Sequence, residues 1–170
     1  FQGIYKVVCN KKVSGKFFQL SLSAPAISRK ASPGQFIHLR LNDTLKPFFI
    51  LSLSIYRAQK TIDVLYDVVG DGTKMLSQKK KGDSLDCLGP LGTSFSLPPK
   101  NTKQVVLIAG GVGVAPFLFL TDVLKKKGYK LVLLYGARGK EQVFSMNDFK
   151  KNGCDVHIST DDGRVGQKGK

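Results

Sequence analysis

The sharpest chemical signal in the sequence is a run of small residues, Gly110-Gly111-Val112-Gly113-Val114-Ala115-Pro116, set between an apolar stretch and a helical one. Glycines at such a junction let the backbone approach a pyrophosphate, and the N-terminus of the following helix offers it unpaired N–H groups and the positive end of a dipole. Pro116 suits the first turn of that helix, where its missing N–H costs nothing. Gly70 and Gly72 precede Thr73 in a second arrangement of this kind, with Thr73 expected as the cap of a short helix. Each has a plainer alternative, a tight or capped turn that holds no ligand. Gly136 and Arg138 follow a second apolar run, and Asp161 and Asp162 a third, at the carboxyl edge where open parallel sheets bind ligands. Arg138 reads either as a clamp for a ribose or phosphate or as a solvated loop cation, and the two acids also suit a surface turn. His38 and His157 stand apart from any nucleophile or paired carboxylates, so these residues bind rather than react and the hard chemistry belongs to a cofactor.

The elements that must position these groups change character along the chain. Residues 4–9, 17–23, 37–41, 48–56, 61–69 and 84–88 alternate apolar and polar side chains between turns rich in Gly, Pro, Asn and Ser. With one brief helical stretch at 73–80, this predicts a small antiparallel barrel over residues 1–98. Leu97-Pro98-Pro99-Lys100-Asn101 reads as a stiff polar connection at a domain boundary. Beyond it, apolar runs at 104–109, 130–135 and 155–159 alternate with helical patterns at 116–127 and 141–151. Residues 99–170 therefore read as a doubly wound parallel α/β domain, truncated at three strands. In that order the first strand is central, so a missing neighbour leaves it as an apolar edge, and the chain is expected to be a piece of a longer polypeptide.

Composition narrows the class. Lysine and arginine number 27 against 12 acids, a net charge of +15. The lysine runs at 79–81 and 125–127 each precede a glycine, as cations complementing a helix C-terminus do. No nucleic-acid-reading motif accompanies them, and no nucleic-acid partner is expected. No apolar run approaches the roughly 20 residues of a membrane-spanning helix, and residues 1–12 lack a secretory apolar core. A soluble cytoplasmic protein is expected. Cys9, Cys87 and Cys154 are too scattered for a C-x-x-C metal site or a disulfide framework, so they read as reduced thiols with no metal site among them.

The loop at 110–116 departs from the usual dinucleotide fingerprint, because Pro116 takes the place of the third glycine. In this form it resembles the nicotinamide-binding loop of the ferredoxin reductase superfamily, where a flavin-binding antiparallel barrel precedes the nicotinamide domain. Within that superfamily the chain is similar, over essentially its whole length, to the electron-transfer subunits of NAD-dependent (class 1B) dihydroorotate dehydrogenases. Pro33-Gly34-Gln35-Phe36, Val69-Gly70-Asp71-Gly72-Thr73, the stretch from Leu88 to Phe95, Leu134-Tyr135-Gly136-Ala137-Arg138 and Thr160-Asp161-Asp162-Gly163 carry the likeness in order.

The resemblance implies that Leu53, Ser54, Leu65 and Tyr66 line the isoalloxazine and ribityl chain of FAD, while Gly70, Gly72 and Thr73 cradle its pyrophosphate. Gly110, Gly111, Gly113, Ala115, Pro116, Gly136, Arg138 and Asp161 would hold NAD(H), with NAD and NADP both left open. It further implies a flavin-containing dihydroorotate dehydrogenase catalytic subunit as partner in a hetero-oligomer. Electrons would pass through a 2Fe-2S cluster and FAD to NAD, in pyrimidine biosynthesis. The cluster's cysteine ligands in the family lie in a later segment, and the three cysteines here do not match them. Alternatives are the flavin subunit of a ferredoxin-NADP oxidoreductase or sulfhydrogenase, or a cofactor-free interaction module on the same fold.

The chain departs from the family at Ile50-Leu51-Ser52, where the family has an Arg-Arg-Pro run, and at Asp67, where it has a second arginine. Guanidinium forks suit pyrophosphate. Without them FAD is expected to be held weakly, mainly by the backbone of residues 70–73, and Asp67 to repel phosphates if it faces them. Lys46 and Arg57 are the candidate compensating cations.

Overall fold

The computed structural model describes residues 1–41 and 49–169. Strands β1 (Gln2–Ser14), β2 (Phe17–Ser23), β3 (Phe36–Leu41), β4 (Phe49–Ala58), β5 (Ile62–Asp67) and β6 (Ser84–Leu91) close into an antiparallel barrel in the order β1-β2-β5-β4-β3-β6. Alternation decides what fills it. Leu20, Leu22, Ile37, Leu39, Ile62 and Val64 are fully buried on the inner face, and closure pairs the strand edges except where β4 parts from β5. Phe48, expected to begin the fourth strand, and Lys46 lie outside the described residues.

The barrel carries two short helices, α1 (Pro25–Ser28) and α2 (Asp71–Ser77). The helix expected at 73–80 thus starts two residues earlier and ends three earlier. Extended Gly70 is its N-cap, so Thr73 sits inside the first turn rather than capping it. At the far end the Asn10 amide donates to the carbonyls of Leu76 and Lys79, taking acceptors that a longer helix would use itself. β4 pairs with β5 only at Ile55, Arg57 and Ala58, and upstream of these it pairs with β3 alone. The start of α2 lies beside the parted strand, with Gly72 against Leu51 and Phe49.

Past the connection, β7 (Gln104–Gly110), α3 (Ala115–Lys126), β8 (Lys130–Ala137), α4 (Met146–Lys151), β9 (Cys154–Thr160) and β10 (Gln167–Lys168) form a parallel sheet in the order β10-β9-β8-β7. Four strands replace the three expected, because Gln167 and Lys168 pair with Ser159 and Thr160. The helix expected at 141–151 is a 3-10 turn at Lys140–Gln142 followed by α4. Buried Phe144 interrupts it by packing on Phe17 of the barrel, ring centroids 4.7 Å apart. Ser145 then takes a left-handed conformation, φ 54°. As anticipated, β7 is an edge, and Val106 and Ile108 on it are 52% and 73% exposed.

The barrel and the sheet are packed together. Phe17, Tyr56 and Leu65 of the barrel share a core with Leu118, Leu133 and Phe149, and Phe119 of α3 enters the barrel core. Arg57 is committed to Asp148 of α4 at 3.4 Å, within this contact.

Candidate functional site

The carboxyl edge of the sheet is built by three successive strand ends. β7 ends at Gly110, and Gly111, φ +50°, turns the chain into a 3-10 segment, Gly111–Val114, that runs directly into α3. A side chain at 111 would hold its backbone in the left-handed region, which costs L-residues energy that glycine does not incur. A Cβ at Gly110 or Gly113 would meet nothing within 4 Å, so this backbone borders open space. Ala115 is instead 3% exposed, buried in the core shared with the barrel, and Pro116 occupies the first turn of α3 as expected.

On the next strand Gly136 pairs with Gly110. The Arg138 N–H donates to Gln142 Oε1 at 3.2 Å, and the Asp161 N–H donates to the Ala137 carbonyl at 3.2 Å. These tethers join three strand ends around one cavity of about 650 Å³, lined by Gly110, Gly111, Gly136, Arg138, Gln142, Ser159 and Asp161. Lys16 and Asp67 close it from the barrel side. The neighbouring Asp162 carboxyl is held below its usual range, chiefly by the Arg164 N–H.

Tyr135 organises this edge from beneath. Its hydroxyl reaches the carbonyls of Gly111, at 3.1 Å, and Gln142, and accepts the Phe144 N–H at 3.3 Å. Burial pushes the phenol up to about 12, so it stays a donor through the neutral range. The glycine turn, the 140–142 turn and the Phe144 anchor therefore share one buried oxygen.

The barrel residues read as flavin contacts separate into three places. Ser54 is exposed opposite Phe36 on the outer face, while the Leu53 side chain packs against the barrel core. Leu65 points outward into the barrel–sheet contact, lining a separate cavity of about 690 Å³ with Tyr56 and Phe144. Tyr66 offers no flat wall to a ligand. It is 2% exposed inside the barrel, stacked on Phe18, and its hydroxyl donates to Asn10 Oδ1 at 3.0 Å.

The expectation for residues 70–73 also changes. Thr73 Oγ1 accepts the N–H groups of Val69 and Gly70 and donates to the Gly70 carbonyl, so the Gly70 donor read as free for a phosphate is occupied. What remains are the N–H groups of Gly72 and Thr73, which the geometry of a helix start leaves without intrahelical acceptors. Gly72 packs closely here, since a Cβ would lie 3.0 Å from Leu51 Cδ2. Leu51 itself therefore stands beside the loop at the position where the family places an arginine.

Asp67 is not an uncompensated charge, because its Oδ2 lies 3.0 Å from Lys16 Nζ. Sequence reasoning missed Lys16, Gln142, Ser159 and the role of Tyr135. Lys16 is revealed only by the strand register that sets Phe17 opposite Asp67. Among the described residues no three His, Cys, Asp or Glu side chains gather as metal ligands would, and the three cysteines, on β1, β6 and β9, do not fit a cluster. No described helix is long and apolar enough to cross a membrane.

No protein-family model matches the chain. It is 38% identical over 167 residues to the dihydroorotate dehydrogenase B (NAD(+)) electron transfer subunit of Desulforamulus reducens, covering 96% of this chain and 63% of the relative. The subunit of the same name from Fusobacterium nucleatum is 31% identical over 94% of this chain and 63% of its own length. The chain thus spans a little under two thirds of these curated relatives. Among solved structures, an NADH-dependent reduced ferredoxin-NADP oxidoreductase superposes with a TM-score of 0.86 at 29% identity, over 98% of this chain and 60% of that one. A Neisseria gonorrhoeae ferredoxin NADP+ reductase with bound FAD and NADP superposes with a TM-score of 0.81 at 20% identity, over 99% and 73%. The closed barrel followed by a parallel sheet is the fold of ferredoxin reductase-like FAD/NAD proteins.

Proposed function

We propose that this chain is the FAD- and nicotinamide-binding part of an electron-transfer subunit that passes electrons from a dihydroorotate-oxidising catalytic subunit to NAD. The observation that carries this reading is the cavity at the sheet edge, where Gly110, Gly111, Arg138 and Asp161 meet two charged side chains from the barrel. Similarity over 94–96% of this chain to subunits bearing that name supports the substrate and partner.

FAD, when bound, supplies the exchange of electrons between a one-electron centre and a two-electron hydride acceptor. The chain's own residues bind and orient. Gly110 and Gly111 admit a diphosphate close to the backbone, and the start of α3 presents its dipole to that charge. Arg138 and Asp161 stand where a ribose or phosphate of the same dinucleotide would lie, the first as donor and the second as acceptor. On the barrel, the start of α2 beside Leu51 is the cradle for the flavin diphosphate, while the Ser54 hydroxyl is exposed on the outer face of β4. The division at residues 98–99 and a cytoplasmic location accompany this reading.

Anaerobic titration of the full-length protein with NADH tests it. Bleaching of bound flavin near about 450 nm is the expected result. Tight NADH binding by a protein that never associates with flavin would overturn it. A second reading, the flavin subunit of a ferredoxin-NADP oxidoreductase, draws on the 0.86 superposition. Reduction of the flavin by NADPH in preference to NADH would favour it.

A further inference from the structure

The barrel lacks the guanidinium groups expected beside a dinucleotide diphosphate, and the structure shows what stands there instead. The β1–β2 hairpin turns at Gly15 and Lys16, and Gly15 lies against Glu141 of the α/β domain. That contact brings the hairpin tip to the rim of the sheet-edge cavity. Lys16 emerges beside the end of β5, because Phe17 pairs with Asp67 and the Val68 N–H donates to the Lys16 carbonyl at 3.0 Å. Its Nζ lies 3.0 Å from Asp67 Oδ2, and both residues line the cavity that Gly110 and Gly111 line from the other side.

We infer that Lys16 is a dinucleotide-contacting cation of this cleft and that Asp67 positions it, an inference that rests on the dinucleotide-binding reading above. The two together replace a direct arginine at position 67, moving the positive charge one strand across the barrel. The energetics of the pair argue against a purely stabilising role. Lys16 is 58% exposed, and exposed ion pairs contribute little to folding. Asp67 carries a penalty as well, since its Oδ1 is enclosed with no hydrogen-bond partner. An acid so placed holds the ammonium at the mouth of a cavity that Arg138 also lines. The shared chemistry is a dinucleotide diphosphate, and its source is either the nicotinamide or the flavin cofactor.

The test uses the full-length protein carrying Lys16→Met, Asp67→Asn or both, titrated separately with NADH and FAD. Lys16→Met is expected to weaken NADH binding roughly tenfold, as loss of a charged hydrogen bond does, and to flatten the dependence of affinity on salt. Asp67→Asn should weaken the same ligand less, and the double variant should match Lys16→Met. Melting temperature should hold or rise in Asp67→Asn, because the enclosed orphan oxygen loses its charge. A tenfold loss confined to FAD would support the inference with flavin as the source. A wild-type protein that binds neither dinucleotide overturns the functional reading itself. Wild-type binding with unchanged affinities for both ligands in Lys16→Met overturns the inference alone, as does a lowered melting temperature in Asp67→Asn with NADH and FAD affinities both intact.

Discussion

Removing one oxygen atom, in Tyr135→Phe, probes both the stability of the α/β domain and the shape of its glycine turn. The ring is 2% exposed, so water does not replace the hydroxyl. Without it the Phe144 N–H loses its acceptor, and the carbonyls of Gly111 and Gln142 lose a shared donor. Leaving a buried polar group unsatisfied costs about 1–3 kcal/mol. Each kcal/mol moves the midpoint of a chain this size by roughly 2–4 °C, so the melting temperature should fall by roughly 2–12 °C. The Phe ring preserves packing, which separates this loss from cavity formation. Because the Gly111 carbonyl is one of the released groups, NADH affinity should drop several-fold while FAD affinity holds. Thermal melts followed by circular dichroism and paired NADH and FAD titrations give the answer. A midpoint unchanged within error, together with unchanged NADH affinity, would refute the argument that this hydroxyl braces the turn.

Leu51→Arg should raise FAD affinity by roughly tenfold or more, because it places a guanidinium beside Gly72 where two charge-assisted hydrogen bonds can reach a diphosphate; equal FAD affinity in the variant shows that position 51 does not face the flavin. Burial pushes the Tyr66 and Tyr135 phenols from an ordinary value near 10 up to about 12. The unfolded chain therefore ionises first, and stability that is intact below about pH 10 should fall by about 1.4 kcal/mol per pH unit for each tyrosine as pH rises towards 12. Urea titrations across that window measure the slope, and a flat profile contradicts the burial argument. Burial also pushes the Cys87 and Cys154 thiols up to about 12 and about 11. Iodoacetamide should thus label half-buried Cys9 first in the native protein, with the other two reacting only on unfolding, as peptide mass spectrometry would show. Gly34→Ala should cost the barrel more than a typical surface change. Its φ of +95° disfavours any side chain, and a Cβ would lie 2.9 Å from the Phe95 backbone nitrogen.

Much of the architecture was legible because it rests on local periodicity. Alternation along residues 17–23 and 37–41 marked the barrel's inner face, and the continuous apolar run at 104–109 marked a strand of a parallel sheet. Gly110, Gly111, Gly136, Arg138 and Asp161 could be placed at one edge, since a strand that ends in glycine before a helix allows few other geometries. The likeness to electron-transfer subunits was likewise carried by ordered motifs that need no coordinates. Side-chain direction at strand ends was not legible. A single residue of register decides whether Tyr66 faces a flavin or the barrel interior, and the pairing of β2 with β5 made that choice. Thr73 turned from a cap into an internal brace because Gly70 takes the extended conformation that begins α2. The helix expected at 141–151 broke because Phe144 is worth more against Phe17, a residue far away in sequence, than in a continuous helical turn. Lys16 and Asp67 meet only through the β2–β5 pairing, so their ion pair, and with it the charge at the cavity mouth, belongs to the tertiary structure alone. Local pattern specifies elements because propensity and periodicity act over a few residues, whereas a site made from two domains depends on which distant surfaces the burial of apolar side chains brings together.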